Sequence, residues 1–161
     1  MLAHGGPFLC WFPISTIRFS AESSTGLYSA PQIPRLYTSF DFSSLVDFWT
    51  YTCINCINTL LHVRQWYDKY RHKGLVVVGV HTPEFPFEKS TDNVKAAIKR
   101  LDVRYPVAQD NSYATWNNFG NQYWPAVYLI DASGNVVYKH FGEGNYEETE
   151  AEIQKLLAAR K

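Results

Sequence analysis

Apolar positions change their spacing along the chain, and the change separates predicted strands from predicted helices. Residues 45–49 form a short, mainly apolar run typical of a buried strand. Residues 75–80 form a continuous apolar run, as expected for a parallel strand covered on both faces. Between the two runs, the stripe of an amphipathic helix is predicted, which Gly74 is expected to end. The stripe consists of Cys56, Leu60, Val63, Tyr67 and Tyr70.

The second half of the chain carries shorter elements that follow the same logic. They are a helix from about Thr91, a strand within 105–110, a helix within 111–119, strands at 126–130 and 136–141, and a helix at 146–161. A turn sequence of Asp, Ala, Ser, Gly and Asn joins the last two strands into a hairpin. The alternation of strands and helices predicts an α/β fold with a mixed central sheet flanked by helices.

The first part of the chain differs from this regular part. Residues 1–40 are rich in Ser, Pro and Gly, and they show neither the period of a strand nor that of a helix. We therefore expect an irregular N-terminal arm at 1–40 and a single domain at 41–161. Residues 7–12 include an apolar stretch, but no Lys or Arg precedes it and Pro interrupts it, so the indication of an export signal is weak.

Composition and charge exclude several classes of function. The 161 residues include 15 basic and 15 acidic side chains, so long-range attraction to nucleic acid is not expected. The 5 histidines are scattered, and a zinc site needs four ligands at suitable spacing, so neither a metal nor another cofactor is predicted. No apolar run reaches the ~18 residues that span a bilayer. We expect a monomer.

Two of the 3 cysteines stand three positions apart, at Cys53 and Cys56, whereas Cys10 lies far away in the irregular arm. Cys53 falls where a predicted strand ends and a helix begins, so its sulfur faces free backbone N–H groups that favour the thiolate. Cys56 lies one turn further along, on the buried face, within reach of a mixed disulfide on Cys53. The pair therefore predicts a nucleophile and a resolving thiol in one rigid element.

The segment 45–56 resembles the active-site segment of thioredoxins. Together with 81–85 and 120–126, it is similar to the redoxin domain of DipZ-type proteins, relatives of the TlpA and ResA class of extracytoplasmic thiol–disulfide oxidoreductases. The resemblance covers roughly residues 45–160. It implies a thioredoxin fold with an extra segment before the third helix, and electron exchange with protein thiols and disulfides. It also implies a membrane electron-transfer protein as partner and a location outside the cytoplasm.

The resemblance assigns proton-transfer roles to two acids. Asp47 stands six positions before Cys53, where thioredoxins keep a buried carboxylate that relays protons to the second cysteine. Glu84 matches the acidic residue that the ResA class holds near its cysteines. A solvated acid at the strand end is the alternative for Asp47, and an ordinary loop acid is the alternative for Glu84.

The resemblance also assigns substrate-binding residues. Pro125 matches a cis-proline that faces the disulfide and binds the backbone of the substrate, and Trp124 precedes it. Trp49 matches an aromatic residue that shields the site. The sequence departs from the family at residues 40–44, where a Gly-Lys turn is usual, so we expect the N-terminal hairpin of the family to be missing or damaged.

Two other functions compete with dithiol exchange. A peroxiredoxin-like thiol peroxidase is the main alternative, but Asp, Phe and Trp stand before Thr50 where such enzymes place a proline. A peroxidase also rarely needs a resolving cysteine within the same helical turn. A non-enzymatic interaction module is the third possibility, which the intact cysteine pair argues against. Its binding surface would consist of Trp116, Tyr123 and Trp124.

Overall fold

The structure is a computed structural model, and it describes residues 42–159. The arm predicted at 1–40 and Cys10 lie outside the described residues. The strands and helices are β1 (Ser43–Trp49), α1 (Ile54–Tyr70), β2 (Leu75–His81), α2 (Thr91–Arg100), β3 (Val107–Gln109), α3 (Ala114–Asn118), β4 (Ala126–Ile130), β5 (Val136–Phe141) and α4 (Tyr146–Ala158). Two short 3-10 helices occupy Arg71–Lys73 and Pro86–Lys89.

One mixed sheet forms the centre of the described domain, in the strand order β3-β2-β1-β4-β5. β1 pairs in parallel with β2, and β2 with β3, whereas β4 is antiparallel to both β1 and β5. The predicted α/β fold with a mixed sheet is therefore confirmed. β1 lies in the middle of the sheet with a neighbour on each side and both faces buried, which explains why all but one of residues 45–49 are apolar.

Alternation along β1 divides the core into two layers. Leu45 and Trp49 face a cluster that includes Leu60 and Val63 of α1 and Ile153 of α4. Val46 and Phe48 face the opposite cluster, where aromatic rings pack edge to face around Phe48; they belong to Trp116, Phe119 and Tyr128. Since side chains alternate along a strand, Asp47 lies on the α1 side of the sheet, beneath the helix that contains Cys56 and begins directly after Cys53.

The buried stripe of α1 is wider than the apolar spacing predicts. Thr59 and Trp66 are buried in addition to the expected positions, whereas Tyr67 is only partly buried. The α-helix ends at Tyr70 rather than at Gly74, because a turn of 3-10 helix continues the chain to Lys73. Gly74 then adopts a left-handed φ of 92°, which closes the helical segment as a C-terminal glycine does.

Only the second half of β2 is covered on both faces. β3 pairs with Gly79–His81 alone, and within the described part of the chain Val76 remains 38% exposed. The expectation that the whole apolar run is covered on both faces is therefore wrong for its first half. Leu75 and Val77 are buried on one face, but the cluster around Phe48 on the other face reaches only Val80 and leaves Val76 exposed. Among residues 42–159, no helix has both the length and the apolar character needed to cross a bilayer.

Candidate active site

The link between β1 and α1 places Cys53 at the beginning of the helix. Cys53 has the extended backbone of an N-cap residue, with φ −75° and ψ 115°. Its Sγ accepts a hydrogen bond from the backbone N–H of Cys56 at 3.3 Å, the contact that a capping side chain makes with the third helical residue. The sulfur therefore lies at the positive end of the α1 dipole.

These contacts make Cys53 the more acidic of the two thiols. A hydrogen bond from the Cys56 side chain and the N–H groups of Cys56 and Asn55 lower the pKa of Cys53 from 9.0 to about 6. Partial burial and the charge of Glu84 act in the opposite direction. Cys53 is half-buried, so its sulfur retains contact with solvent. At neutral pH it is mostly thiolate, which is the form that attacks a disulfide.

Cys56 has the opposite character. Its side chain is 0% exposed. Burial raises the pKa of Cys56 far above the ordinary range, and the hydrogen bond with Cys53 adds to that effect, as do the charges of Cys53 and Asp47. Cys56 is therefore a buried thiol that requires a base before it can act as a nucleophile. Cys53 and Cys56 are both free thiols in this structure.

Asp47 is a buried carboxyl group beneath α1. Burial raises its pKa from 3.8 to about 7, and the hydrogen bond from the Tyr105 hydroxyl to Oδ2, at 3.3 Å, opposes that rise. Its Oδ1 has no hydrogen-bond partner within residues 42–159. The alternative of a solvated strand-end acid is wrong, because Asp47 is 1% exposed. A carboxyl group that titrates near neutral pH and interacts with Cys56 has the properties of a proton acceptor.

Glu84 lies in the loop that follows β2, and its side chain is exposed. Its negative charge acts on Cys53, where it raises the pKa of the thiol against the larger lowering effects. Glu84 is therefore close enough to the nucleophile to interact electrostatically, while its carboxylate stays in solvent. Its role in proton transfer remains a prediction.

A second acid of the same loop, Glu88, was not predicted to belong to the site. It is 0% exposed, and its carboxylate accepts hydrogen bonds from the Thr52 hydroxyl at 2.6 Å and from the N–H groups of Glu84 at 2.6 Å and Phe85 at 3.0 Å. Burial alone would raise the pKa of Glu88, but these bonds and one from Thr50 lower it below 4.5. Glu88 therefore fastens the loop to the residue that precedes Cys53.

His81 extends this polar contact into the core. Its Nε2 lies 3.4 Å from the Thr50 hydroxyl, and Thr50 also bonds to Glu88. The ring stacks on Tyr51, with centroids 5.5 Å apart, and meets Trp49 edge to face at 5.3 Å. Burial lowers the pKa of His81 to about 4, so the ring is neutral at physiological pH. Thr50 and Thr52, which precede Cys53, are thus held by the buried side chains of His81 and Glu88.

The residues expected to bind substrate lie at the same end of the sheet. Phe48, near the end of β1, pairs with Ala126 at the start of β4, so Pro125 lies beside the point where the chain leaves β1 for Cys53. The Trp124–Pro125 bond is cis, as the resemblance implies. Trp124 is half-buried and donates its Nε1–H to the carbonyl of Thr82 at 3.1 Å.

The other aromatic residues singled out by sequence are less accessible. Trp49 is 0% exposed, and its shielding role remains a prediction. Trp116 is 7% exposed and packs against Trp124 with centroids 4.1 Å apart, whereas Tyr123 is 56% exposed. The surface expected for an interaction module is therefore reduced to Tyr123 and part of Trp124.

Within residues 42–159, no group of three or more His, Cys, Asp or Glu side chains has the arrangement of a metal site.

Comparison with known families agrees with this geometry. The Redoxin family model matches residues 29–157. The chain belongs to the redoxin family. Among curated proteins, this redoxin is 53% identical to Protein DipZ of Mycobacterium bovis over 113 residues, which are 70% of the chain and 16% of DipZ. It therefore corresponds to only a small part of that relative.

Two further relatives are similar over most of their own length. Thiol-disulfide oxidoreductase YkuV of Bacillus subtilis is 28% identical over 115 residues, which cover 71% of this redoxin and 77% of YkuV. Among solved structures, a thioredoxin-like protein in the oxidised form superimposes with a TM-score of 0.71 and 25% identity, covering 81% of this redoxin and 87% of that chain. The thioredoxin fold implied by the sequence is confirmed.

Proposed function

We propose that this redoxin is a thiol–disulfide oxidoreductase that exchanges electrons between protein dithiols and disulfides through Cys53 and Cys56. The observation that carries the proposal is the difference between the two thiols. Cys53 is half-buried, caps α1 and has a pKa lowered to about 6, whereas Cys56 is fully buried and has a raised pKa. One sulfur is thus suited to attack an external disulfide, and the other to resolve the product.

In the reducing direction, the Cys53 thiolate attacks one sulfur of a substrate disulfide. The substrate S–S bond breaks, the other substrate sulfur leaves as a thiolate, and a mixed disulfide forms. Cys56 then loses its proton to a base and attacks Cys53 Sγ, which releases the second substrate thiolate and leaves a Cys53–Cys56 disulfide. Two electrons pass to the substrate. The reverse sequence oxidises a dithiol.

Two acids are proposed to handle the protons. Asp47, buried beneath α1 with a pKa of about 7, is the proposed base for Cys56. Glu84, exposed in the loop after β2, is the proposed second relay, and its electrostatic effect on Cys53 supports a position near the departing thiolate. Both assignments rest on the resemblance together with the placement of the side chains.

The proposed substrate-binding residues are Trp124 and Pro125. Trp49, whose side chain is 0% exposed, is proposed to shield the site rather than to contact the substrate. Pro125 supports this assignment through its place beside the end of β1, next to the segment that leads to Cys53. By resemblance to DipZ-type and ResA-type proteins, we further propose that the protein works outside the cytoplasm as a monomer. A membrane electron-transfer protein would then supply or accept its electrons.

The test is substrate trapping. Cys56→Ser should accumulate covalent mixed disulfides on Cys53 and abolish turnover in an insulin-reduction assay, because the resolving sulfur is gone. Cys53→Ser is the matched control and should neither trap nor turn over. Iodoacetamide at mildly acidic pH should alkylate Cys53 at least ~100-fold faster than Cys56, given a thiolate on one side and a buried thiol on the other.

Two outcomes would contradict the proposal. Faster alkylation of Cys56 would reverse the assignment of nucleophile and resolving thiol. Rapid, saturable consumption of hydrogen peroxide that persists in Cys56→Ser with an external thiol would favour the peroxidase, since that reaction needs one thiolate alone to form a sulfenic acid.

A further inference from the structure

Tyr105 reaches the buried acid of the site from two strands away. It lies just before β3, it is 3% exposed, and its hydroxyl donates to Asp47 Oδ2 at 3.3 Å. β2 separates β3 from β1, so the tyrosine side chain must cross β2 to reach Asp47. The sequence alone offers no sign of this contact, because the two residues are 58 positions apart.

The Tyr105 side chain can cross β2 because the strand has a glycine, Gly79, at the point of crossing. Gly79 is the register partner of Asp47. A Cβ atom at Gly79 would lie 2.9 Å from Trp49 Nε1, 3.1 Å from Tyr105 Cε2 and 3.3 Å from Val107 Cγ2. The space that a side chain would fill is therefore taken by the Trp49 indole and the Tyr105 ring, and the tyrosine crosses β2 there with its hydroxyl at the carboxylate.

The surroundings of Asp47 provide few other polar contacts. Its Oδ1 has no hydrogen-bond partner in the described part of the chain. Within that part, the side-chain hydrogen bond to the carboxylate therefore comes from Tyr105, through Oδ2. From α1, Cys56 interacts with Asp47 and Arg64 acts on Tyr105, while the Tyr67 ring meets the Tyr105 ring edge to face. The register partners of Asp47 on β2 and β4 are Gly79 and Val127, which carry no charge.

We propose that Tyr105 is a positioning residue that orients the Asp47 carboxylate and stabilises its ionised form for proton transfer from Cys56. The inference rests on the proposed role of Asp47 as base. During resolution, the proton moves from Cys56 Sγ to the Asp47 carboxylate, and the Tyr105 hydroxyl keeps its own proton and its bond to Oδ2. A donor to the charged form favours that form, so the hydroxyl keeps Asp47 available as an acceptor at lower pH.

The test is Tyr105→Phe, which removes the hydroxyl and retains the ring. The midpoint of Asp47 titration, followed by carboxyl carbon NMR, should rise by about one pH unit. The pH–rate profile for resolution of a preformed mixed disulfide should move by the same amount, so that the rate at pH 6 falls by up to about tenfold. Site-specific incorporation of 3-fluorotyrosine at position 105, a stronger donor, should move both midpoints downward.

Control variants separate this role from packing and from the proposed function. Tyr67→Phe removes a hydroxyl from the ring that packs against Tyr105 and should leave both midpoints unchanged. In an Asp47→Asn background, Tyr105→Phe should have no further effect on the profile. If Asp47→Asn moves the profile and Tyr105→Phe slows the reaction equally at every pH, the positioning role is overturned while Asp47 keeps its role. If Asp47→Asn itself leaves the profile unchanged, both the base and its positioning residue are overturned.

Discussion

Two buried carboxyl groups lie near the segment that leads to Cys53, and they differ in their hydrogen bonds. Asp47 and Glu88 are 1% and 0% exposed. Asp47 receives one described hydrogen bond, from Tyr105, and its pKa rises to about 7. Glu88 receives bonds from two hydroxyl groups and two backbone N–H groups, and its pKa falls below 4.5. Both side chains are closed to solvent, but Asp47 lies deeper in the protein and has one donor, whereas Glu88 is less desolvated and has four. Depth and donor number together therefore give the opposite pKa shifts.

The opposite pKa shifts of Asp47 and Glu88 suit the two acids to different roles in the site. A carboxyl group that titrates near neutral pH can accept and return a proton, as the base for Cys56 must. A carboxylate that stays charged can instead serve as a fixed anchor for N–H and hydroxyl donors. Glu88 has this second role, because its partners Thr52, Glu84 and Phe85 join the approach to Cys53 with the loop after β2.

The largest expected effect concerns the charge of Asp47. Its folded-state pKa lies above its unfolded value, so wild-type stability should be lost as pH rises from about 4 to about 7. Asp47→Asn removes the cost of ionising a buried carboxyl group. It should therefore raise the free energy of unfolding by about 4 kcal/mol at pH 9, with little change at pH 3. Urea unfolding under reducing conditions measures both values. An equal gain at the two pH values would assign the effect to packing.

Glu88→Ala should have the opposite sign. It leaves the N–H groups of Glu84 and Phe85 without their acceptor, so the free energy of unfolding should fall by about 3 kcal/mol at pH 7. The pKa of Glu88 is lowered, so this loss should shrink as pH falls below 4.5 and the wild-type carboxylate is protonated. Glu84→Ala, an exposed acid of the same loop, is the matched control and should change stability by less than ~0.5 kcal/mol.

Thr52→Val sharpens the comparison with a smaller effect. It removes one of the hydroxyl donors to Glu88 and keeps the shape of the side chain, so a loss of about 1 kcal/mol is expected. Thr52→Ser keeps the hydroxyl and should retain most of the stability. Urea midpoints of the two variants give the difference. If the valine and serine variants were equally stable, the bond at 2.6 Å would contribute nothing to the anchor.

The sequence predicts the fold and the cysteine pair well because both depend on local spacing. The apolar runs of β1 and β2 and the stripe of α1 mark the strands and the helix, and the position of Cys53 follows from their junction. The end of α1 is predicted less well, since a 3-10 turn before Gly74 has no distinct apolar period. Burial of the β2 faces depends on how far the packed cluster on each face extends, which the apolar spacing of the strand does not show.

The polar partners of the site show a similar limit. Glu88 had a signal, because Pro86 and Glu88 occupy the first and third positions of a short helix, where a capping acid is favoured. The contact with Thr52 had none, since it joins residues 36 positions apart. Tyr105 likewise meets Asp47 only after three strands have aligned. Long-range hydrogen bonds arise from the packed fold, and single-residue patterns do not encode them.

Gly79 has a consequence for how this domain can vary during evolution. The residue has no side chain to take part in the reaction, yet a Cβ there would come within 3.1 Å of both Trp49 and Tyr105. Both rings belong to the packed core, so neither can withdraw to make room. Replacement of the glycine should therefore occur together with a smaller residue at position 49 or 105. Positions 49, 79 and 105 should covary among homologues, although they are distant in the sequence.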